Sequence, residues 1–279
     1  MKKRLLLGIL LATGLYFGCD TALYHLNDRF ALPNIVSSET NLTKTSDPSS
    51  SITSLLDQSY TYLGQGSQCY VFESEEKEHV LKFFKHKRFR LHPALAWFSP
   101  YKEALKKKKW EDLKASCLLA YEKLPQESGL LHLHFAGTSH FKKKISISDK
   151  LKRTYEIDLD SHDWILQKKG KLLYPTLTSY MEKGESENAK LAIKNLITLL
   201  SYRMEQGIDD KDAALCKNVA FEGPTPLFID IGSFSHLTTQ KSQEEQTLEL
   251  KKILSPLKNW LAAHYPDLLN DAHLAHFFQ

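Results

Sequence analysis

Four short stretches of this chain hold residue types that can do chemistry together. The first is Leu63-Gly64-Gln65-Gly66-Ser67-Gln68-Cys69-Tyr70-Val71-Phe72, and the second is Val80-Leu81-Lys82-Phe83. Glycines at a hairpin tip let backbone N–H groups come close to an anion, and a lysine on the next strand adds a fixed cation. Far downstream stand Asp209-Asp210-Lys211-Asp212 through Asn218, then Phe228-Ile229-Asp230-Ile231-Gly232. A carboxylate at the end of the apolar run Leu227-Phe228-Ile229 needs a partner to offset its desolvation. A divalent cation shared with the amide oxygen of Asn218 is such a partner, and hard cations take oxygen ligands. Two other groups suggest less. His132-X-His134 would share a strand face, but neither His140 nor any other residue completes a ligand set. The cysteines Cys19, Cys69, Cys117 and Cys216 are scattered, which gives neither a metal spacing nor a disulfide framework.

The elements that must position these residues follow from periodicity. Residues 60–72 have strand character on both sides of the Gly-X-Gly turn, and 79–84 form a third strand. After a basic insertion at 85–100, a helix is expected from 102 to 124. Leu105, Leu113, Cys117, Ala120, Tyr121 and Leu124 recur on it at helical spacing. Strands are expected at 130–135, 144–148, 155–159 and 164–167. A helix from 187 to 206, ended by Gly207, presents Leu191, Asn195, Thr198, Leu199 and Tyr202 as one face. A helix at 244–265 is interrupted at Pro256, and a last one covers 266–278. The Asp…Asn stretch and the Asp-X-Gly strand lie between these helices, and twelve residues separate Asn218 from Asp230. That spacing suits a tight hairpin.

Composition bounds the rest. The net charge of +4 demands no nucleic acid, and Lys106-Lys107-Lys108-Lys109 could meet an acidic partner or anionic lipid but reads first as a solvated helix face. Met1-Lys2-Lys3-Arg4 followed by the apolar stretch Leu5–Gly18 reads as a secretory signal or short anchor covering 1–20. Phe17-Gly18-Cys19-Asp20 resembles the bacterial lipoprotein box, with Cys19 as its lipidation site. The chain is therefore expected at the bacterial envelope, exported or anchored, or delivered to a host, with the membrane met through this N-terminal segment. Residues 21–56, rich in Ser and Thr from 36 onwards, are expected to be a flexible tether.

Taken together, the motifs resemble the protein kinase-like superfamily over about residues 60–235, in the manner of small bacterial kinases that include those acting on lipopolysaccharide sugars. The resemblance implies an α+β, two-lobed fold. Its β-rich N-lobe, 57–170, would carry one major helix, and a reduced α-helical C-lobe would cover 171–279. It implies an Mg-ATP-dependent phosphotransferase with an unidentified hydroxyl acceptor on a protein, sugar or lipopolysaccharide. Gly64, Gly66 and Lys82 would hold phosphates, Val71 would cover the adenine, and Glu122 of the helix would orient Lys82. Asn218 and Asp230 would hold magnesium, with Asp212 or Asp210 catalytic, and Trp164–Lys169 would supply the strand and hinge that read adenine. The chain departs from the family pattern at Cys69, where a third glycine is usual. It also lacks His-Arg before the aspartate and Ala-Pro-Glu after Asp230. These departures support an alternative, an exported or anchored pseudokinase that binds or scaffolds.

Overall fold

The computed structural model describes residues 13–15, 18–37, 49–135, 141–271 and 274–278. The basic N-terminus, most of the apolar stretch 5–18, the Ser/Thr-rich residues 38–48 and His140 lie outside them. The chain is mixed α+β and divides into two compact units. One comprises Met1–Glu103 and His134–Ile165, the other Ala104–Leu133 and Leu166–Gln279. This is not the expected division at residue 170, because most of the long helix after Pro100 belongs to the second unit.

In the first unit a helix over 18–26 (α1) leads into a buried stretch, and Ser50–Leu55 form α2. The strands are β1 (Tyr60–Gln65), β2 (Cys69–Ser74), β3 (His79–Phe84), β5 (Lys144–Ser148) and β6 (Thr154–Asp158). With β4 (Leu130–His134) and β7 (Trp164–Lys168) they make a seven-stranded sheet of order β4-β7-β3-β2-β1-β5-β6. The basic insertion holds two short helices, α3 (His86–Phe89) and α4 (Pro93–Phe98).

The segment expected to be a tether is largely part of this fold. Phe30 and Ile35 are fully buried, and the Phe30 ring meets Tyr70, Phe72 and Tyr155 edge-on at 5.1–5.9 Å. Asn27 donates to buried Asp149 at 2.9 Å. Ser49 caps α2, whose Ile52 is buried, while Lys143 donates to the Thr53 carbonyl and pairs with Asp57. Composition underestimated this region because a few apolar anchors, each contributing about 2 kcal/mol when buried, outweigh many polar residues between them.

The second unit contains most of α5 (Pro100–Lys123), then β8 (Lys171–Leu172), α6 (Leu173–Glu182), α7 (Ser186–Glu205), β9 (Ile208–Asp210) and α8 (Leu215–Asn218). It ends with β10 (Val219–Glu222), β11 (Thr225–Phe228), β12 (Phe234–His236), α9 (Gln243–His264), α10 (Pro266–Leu269) and α11 (Ala275–Phe278). β11-β10-β8 form one small sheet and β12-β9 another. On α5 the buried stripe is Trp110, Leu113, Ser116, Cys117 and Ala120, whereas Leu105 is exposed. On α7 the expected face is largely wrong. Leu191 and Tyr202 are exposed, and the stripe runs through Ala192, Ile193, Leu196, Leu200 and Met204. Gly207 has φ +68°, the left-handed conformation that ends this helix.

α9 runs unbroken through Pro256, against expectation. Proline removes one backbone hydrogen bond, and burial of Ile253, Leu254, Leu257 and Leu261 holds the helix on both sides of it. A capping box between Ser242 and Glu245 starts it. The last helix is instead two single turns, α10 and α11, with Asn270 following the first.

Candidate functional site

The first unit builds a row of three expected residues. β1 and β2 pair with a shift in register between Tyr62 and Gly64, so that Gly64 faces Val71. Val71 in turn faces Lys82 on β3. Directly paired residues project to the same side of a sheet, so Gly64, Val71 and Lys82 line one transverse row. The irregularity at Leu63 makes this alignment, since every ladder position beyond it changes partner. The opposite face, with Tyr70, Phe72, Leu81 and Phe83, is core.

The hairpin tip is pinned by cations. Gly66 N–H donates to the Cys69 carbonyl at 3.0 Å and closes the turn. Lys85 Nζ donates to the Gly66 carbonyl at 2.7 Å and to the Gln65 side chain, and lies 4.5 Å from the centre of the Tyr70 ring. Arg88 donates to the Ser67 carbonyl at 2.9 Å. Partial burial holds the Lys85 ammonium below its ordinary pKa, against the opposing effect of Cys69. Two cations therefore occupy carbonyls that would otherwise repel an anion. A Cβ at Gly64 or Gly66 would meet nothing within 4 Å, and neither has positive φ. The fold itself needs glycine at neither position. Cys69, where a third glycine is usual, is a paired strand residue opposite Phe84, and a side chain is accommodated there.

The second unit assembles the acidic residues. Asp210, on β9, has its carboxylate buried and engaged. Ser233 Oγ donates to it at 2.6 Å, Asp212 N–H at 3.0 Å, and Arg203 lies 3.4 Å away. Asp210 is thus held within the loop by three neighbours. Asp212 is exposed, and its carboxylate pairs with nothing among the described residues. Asn218 is buried, and its Nδ2 donates to the Asp212 carbonyl, which leaves its Oδ1 for another partner. β10 and β11 form the tight hairpin foreseen from spacing, with Val219 facing Phe228 and Gly223 at φ +59° in the turn. Ile229 N–H donates to the Asn218 carbonyl at 2.8 Å, which sets Asn218 beside the turn that begins at Asp230. Among the described residues the Asp230 carboxylate accepts only the Gly232 N–H, at 3.3 Å.

Four residues that sequence reasoning missed hold this loop. Ser116 of α5 is buried; its hydroxyl donates to the Ile231 carbonyl at 2.5 Å and accepts the Phe234 N–H at 2.6 Å. Its signal was a small polar residue inside the apolar stripe Leu113, Cys117 and Ala120. Arg203 is fully buried on α7, between Asp210 and Glu249, and Lys241 bridges Glu249 and Asp209. The signal there was a charged residue at helical spacing from Leu196, Leu199 and Leu200. Ser233 directly follows the Asp-X-Gly run.

Glu122 does not take the expected place. It is exposed in the last turn of α5, while the inward positions nearby are Ser116, Cys117, Leu119 and Ala120. Of the expected hinge, Gln167 is buried, donates to the Ser128 and Phe228 carbonyls, and fixes the strand before Asp230. The Lys168 N–H is bonded to Gly129. His132 and His134 are buried, and His134 stacks on Trp164 at 5.2 Å. Among the described residues one cluster of three metal-ligating side chains occurs, Glu76, Glu78 and His79 in the exposed turn between β2 and β3. Cys19 is exposed, Cys69 and Cys216 are half-buried and Cys117 is buried.

No family model matches the chain, and no curated protein matches it. Among solved structures, one of WbdD aligns at 17% identity over 77% of this chain, with a TM-score of 0.40. One of the bifunctional kinase-methyltransferase WbdD aligns at 15% identity over 78%, with a TM-score of 0.37. A complex of WbdD with the kinase inhibitor LY294002 aligns at 15% over 77%, with a TM-score of 0.36. The chain spans 44%, 44% and 42% of those chains. A likeness of this size assigns the chain to no family.

Proposed function

We propose that this protein is a kinase-like, two-lobed phosphotransferase that uses ATP and magnesium. The observation that carries the reading is the unequal treatment of the loop acids. Asp210 lies beside the Arg203 guanidinium and accepts hydrogen bonds from Ser233 Oγ and the Asp212 N–H, whereas Asp212 and Asp230 pair with no Lys, Arg or His among the described residues. Asp230 follows the hairpin whose Ile229 N–H is bonded to the carbonyl of buried Asn218, so an uncompensated carboxylate and an amide oxygen belong to one loop, and both are donors that a hard divalent cation takes. Asn218 and Asp230 would hold magnesium, which when bound offsets the charge of the phosphates. Gly64 and Gly66 leave room for a close backbone approach, Lys82 supplies a cation on the same row, and Val71 offers an apolar neighbour for the base. Asp212 would orient the acceptor hydroxyl and take its proton. Most of the acceleration would come from positioning and from charge compensation. The acceptor is a hydroxyl of protein, sugar or lipopolysaccharide.

A second reading is a nucleotide-binding scaffold without transfer. One observation favours it: the helix carboxylate expected to orient Lys82, Glu122, is exposed.

The test uses the full chain, because residues as early as Asn27 and Phe30 belong to the fold. Melting is followed with and without Mg-ATP, beside Asp230→Ala, Asp212→Ala and a measurement of phosphate transfer from ATP. Ligand at about 100 times its Kd stabilises by about 2.7 kcal/mol. Stabilisation that is lost in Asp230→Ala, with transfer also lost in Asp212→Ala, is the expected result. Stabilisation without transfer selects the scaffold. An unshifted parent removes both readings.

A further inference from the structure

Within the first unit, α4 and the residues after it expose four large apolar side chains in seven positions. Leu95 is 57% exposed, Trp97 80%, Phe98 75% and Tyr101 77%. Scattered single apolar side chains are ordinary on a surface, but a contiguous group of this size marks an interaction site. Its setting is strongly basic. Residues 85–109 hold nine lysines and arginines against the single acid Glu103, on a chain of net charge +4, so the remainder of the chain is net negative. α5 continues the segment through Lys102 and the four lysines Lys106–Lys109.

From this combination we infer that the α4 segment is a docking surface for an anionic lipid bilayer, with Trp97, Phe98 and Tyr101 entering the headgroup region between the flanking cations. Tryptophan and tyrosine favour that depth because their rings are apolar with one polar edge, and lysines beside them meet lipid phosphates. A second observation places the surface. Lys87 donates to the hydroxyl of Tyr24 at 3.3 Å, and Arg90 donates to the Pro33 and Val36 carbonyls at 3.1 Å. The N-terminal segment therefore runs beside the basic insertion, and α1 adds exposed Leu23 and Leu26. The same composition would suit a single-stranded nucleic acid, whose bases stack on aromatic faces. Two features favour lipid. The Trp97 and Phe98 rings stand edge-to-face at 71° with centres 4.9 Å apart, not as parallel platforms, and exposed Leu95 adds an aliphatic side chain beside them. The inference is independent of the chemistry of the acidic loop. It is also distinct from anchoring by residues 1–20, because it assigns a second contact within the folded unit. Among the described residues no helix is long and apolar enough to cross a membrane, so this contact lies on the bilayer surface.

Trp97 provides the readout. Trp110 and Trp164 are buried and Trp260 is half-buried, so the difference between the parent and Trp97→Phe isolates the exposed ring. The full chain is added to phosphatidylcholine vesicles with and without phosphatidylglycerol, using brominated acyl chains as quencher. The expected result is quenching of the Trp97 signal on anionic vesicles, with less on neutral ones and less in high salt. Lys102→Ala with Lys109→Ala should weaken partition by about 25-fold, at about fivefold per lysine near an anionic surface. A Trp97 signal that bromolipid leaves unchanged overturns the proposal, even where the chain itself is vesicle-bound. Equal quenching on neutral vesicles also overturns it. So does protection of Trp97 by a single-stranded oligonucleotide without vesicles, or by self-association that Trp97→Ala abolishes.

Discussion

Replacing Ser116 by alanine tests how the Asp-X-Gly turn is held. The hydroxyl makes two short hydrogen bonds, to the Ile231 carbonyl at 2.5 Å and from the Phe234 N–H at 2.6 Å. Ser116 is 2% exposed, and Ile231 and Phe234 are each 4% exposed, so water cannot replace the lost partner. Each bond contributes about 1–1.5 kcal/mol net, and a backbone group left buried without its partner adds desolvation cost. The expected loss is about 3 kcal/mol. For a domain of this size that lowers Tm by about 6–12 °C. The assay is thermal and urea unfolding followed by tryptophan emission, in which Trp110, buried on the same helix, reports directly on α5. Ser116→Cys, which keeps the shape and a weak donor, should fall between alanine and parent. Asp212→Ala, at an exposed position, should stay within about 0.5 kcal/mol of the parent. Below its melting range the alanine variant should also gain less stability from Mg-ATP, since the turn that presents Asp230 has lost its clamp. A variant that melts within about 1 °C of the parent would refute the argument that Ser116 fastens this turn.

Arg203→Met leaves the Asp210 and Glu249 carboxylates without their buried cation and should cost about 3–5 kcal/mol. Adding Asp210→Asn should recover at least about 1 kcal/mol, and strict additivity in the double-mutant cycle would show that the pair is not coupled. Burial of Asp149 works to raise its pKa, but hydrogen bonds from the Arg153 backbone and side chain and from Tyr155 prevail and hold it below the ordinary value of an aspartate. Its contribution is therefore fully present above that value and is lost as pH falls through the lower folded pKa. Asp149→Asn should melt below the parent at neutral pH and converge with it in acid, and a constant gap from neutral pH into acid counts against this.

Much of the framework was legible in the chain because period alone sets it. β3 begins and ends at the expected residues, β5 likewise, and the β10–β11 hairpin follows from the spacing of Asn218 and Asp230. Alternation of apolar residues needs no knowledge of what lies across the strand. Face assignments fared worse on α7, because its apolar residues surround more than one side and only neighbouring elements decide which side is covered. The same holds at the N-terminus, where Phe30 and Ile35 were hidden among polar residues. Their value as anchors depends on a sheet face formed by residues far along the chain.

The sequence by itself determined which residue types were available for phosphate and metal chemistry, and in what order, since Gly64, Lys82, Asn218 and Asp230 are each recognisable from local context. Tertiary structure decided how each of them is held. The register shift at Leu63 brings Gly64, Val71 and Lys82 into one row, and no local propensity specifies a change of partner between strands. Burial beside Arg203 and Ser233 turns Asp210 into an anchor, while exposure leaves Asp212 with its carboxylate unengaged. Two aspartates two positions apart are chemically identical in the chain. Only the distant side chains that desolvate and neutralise one of them set their roles apart.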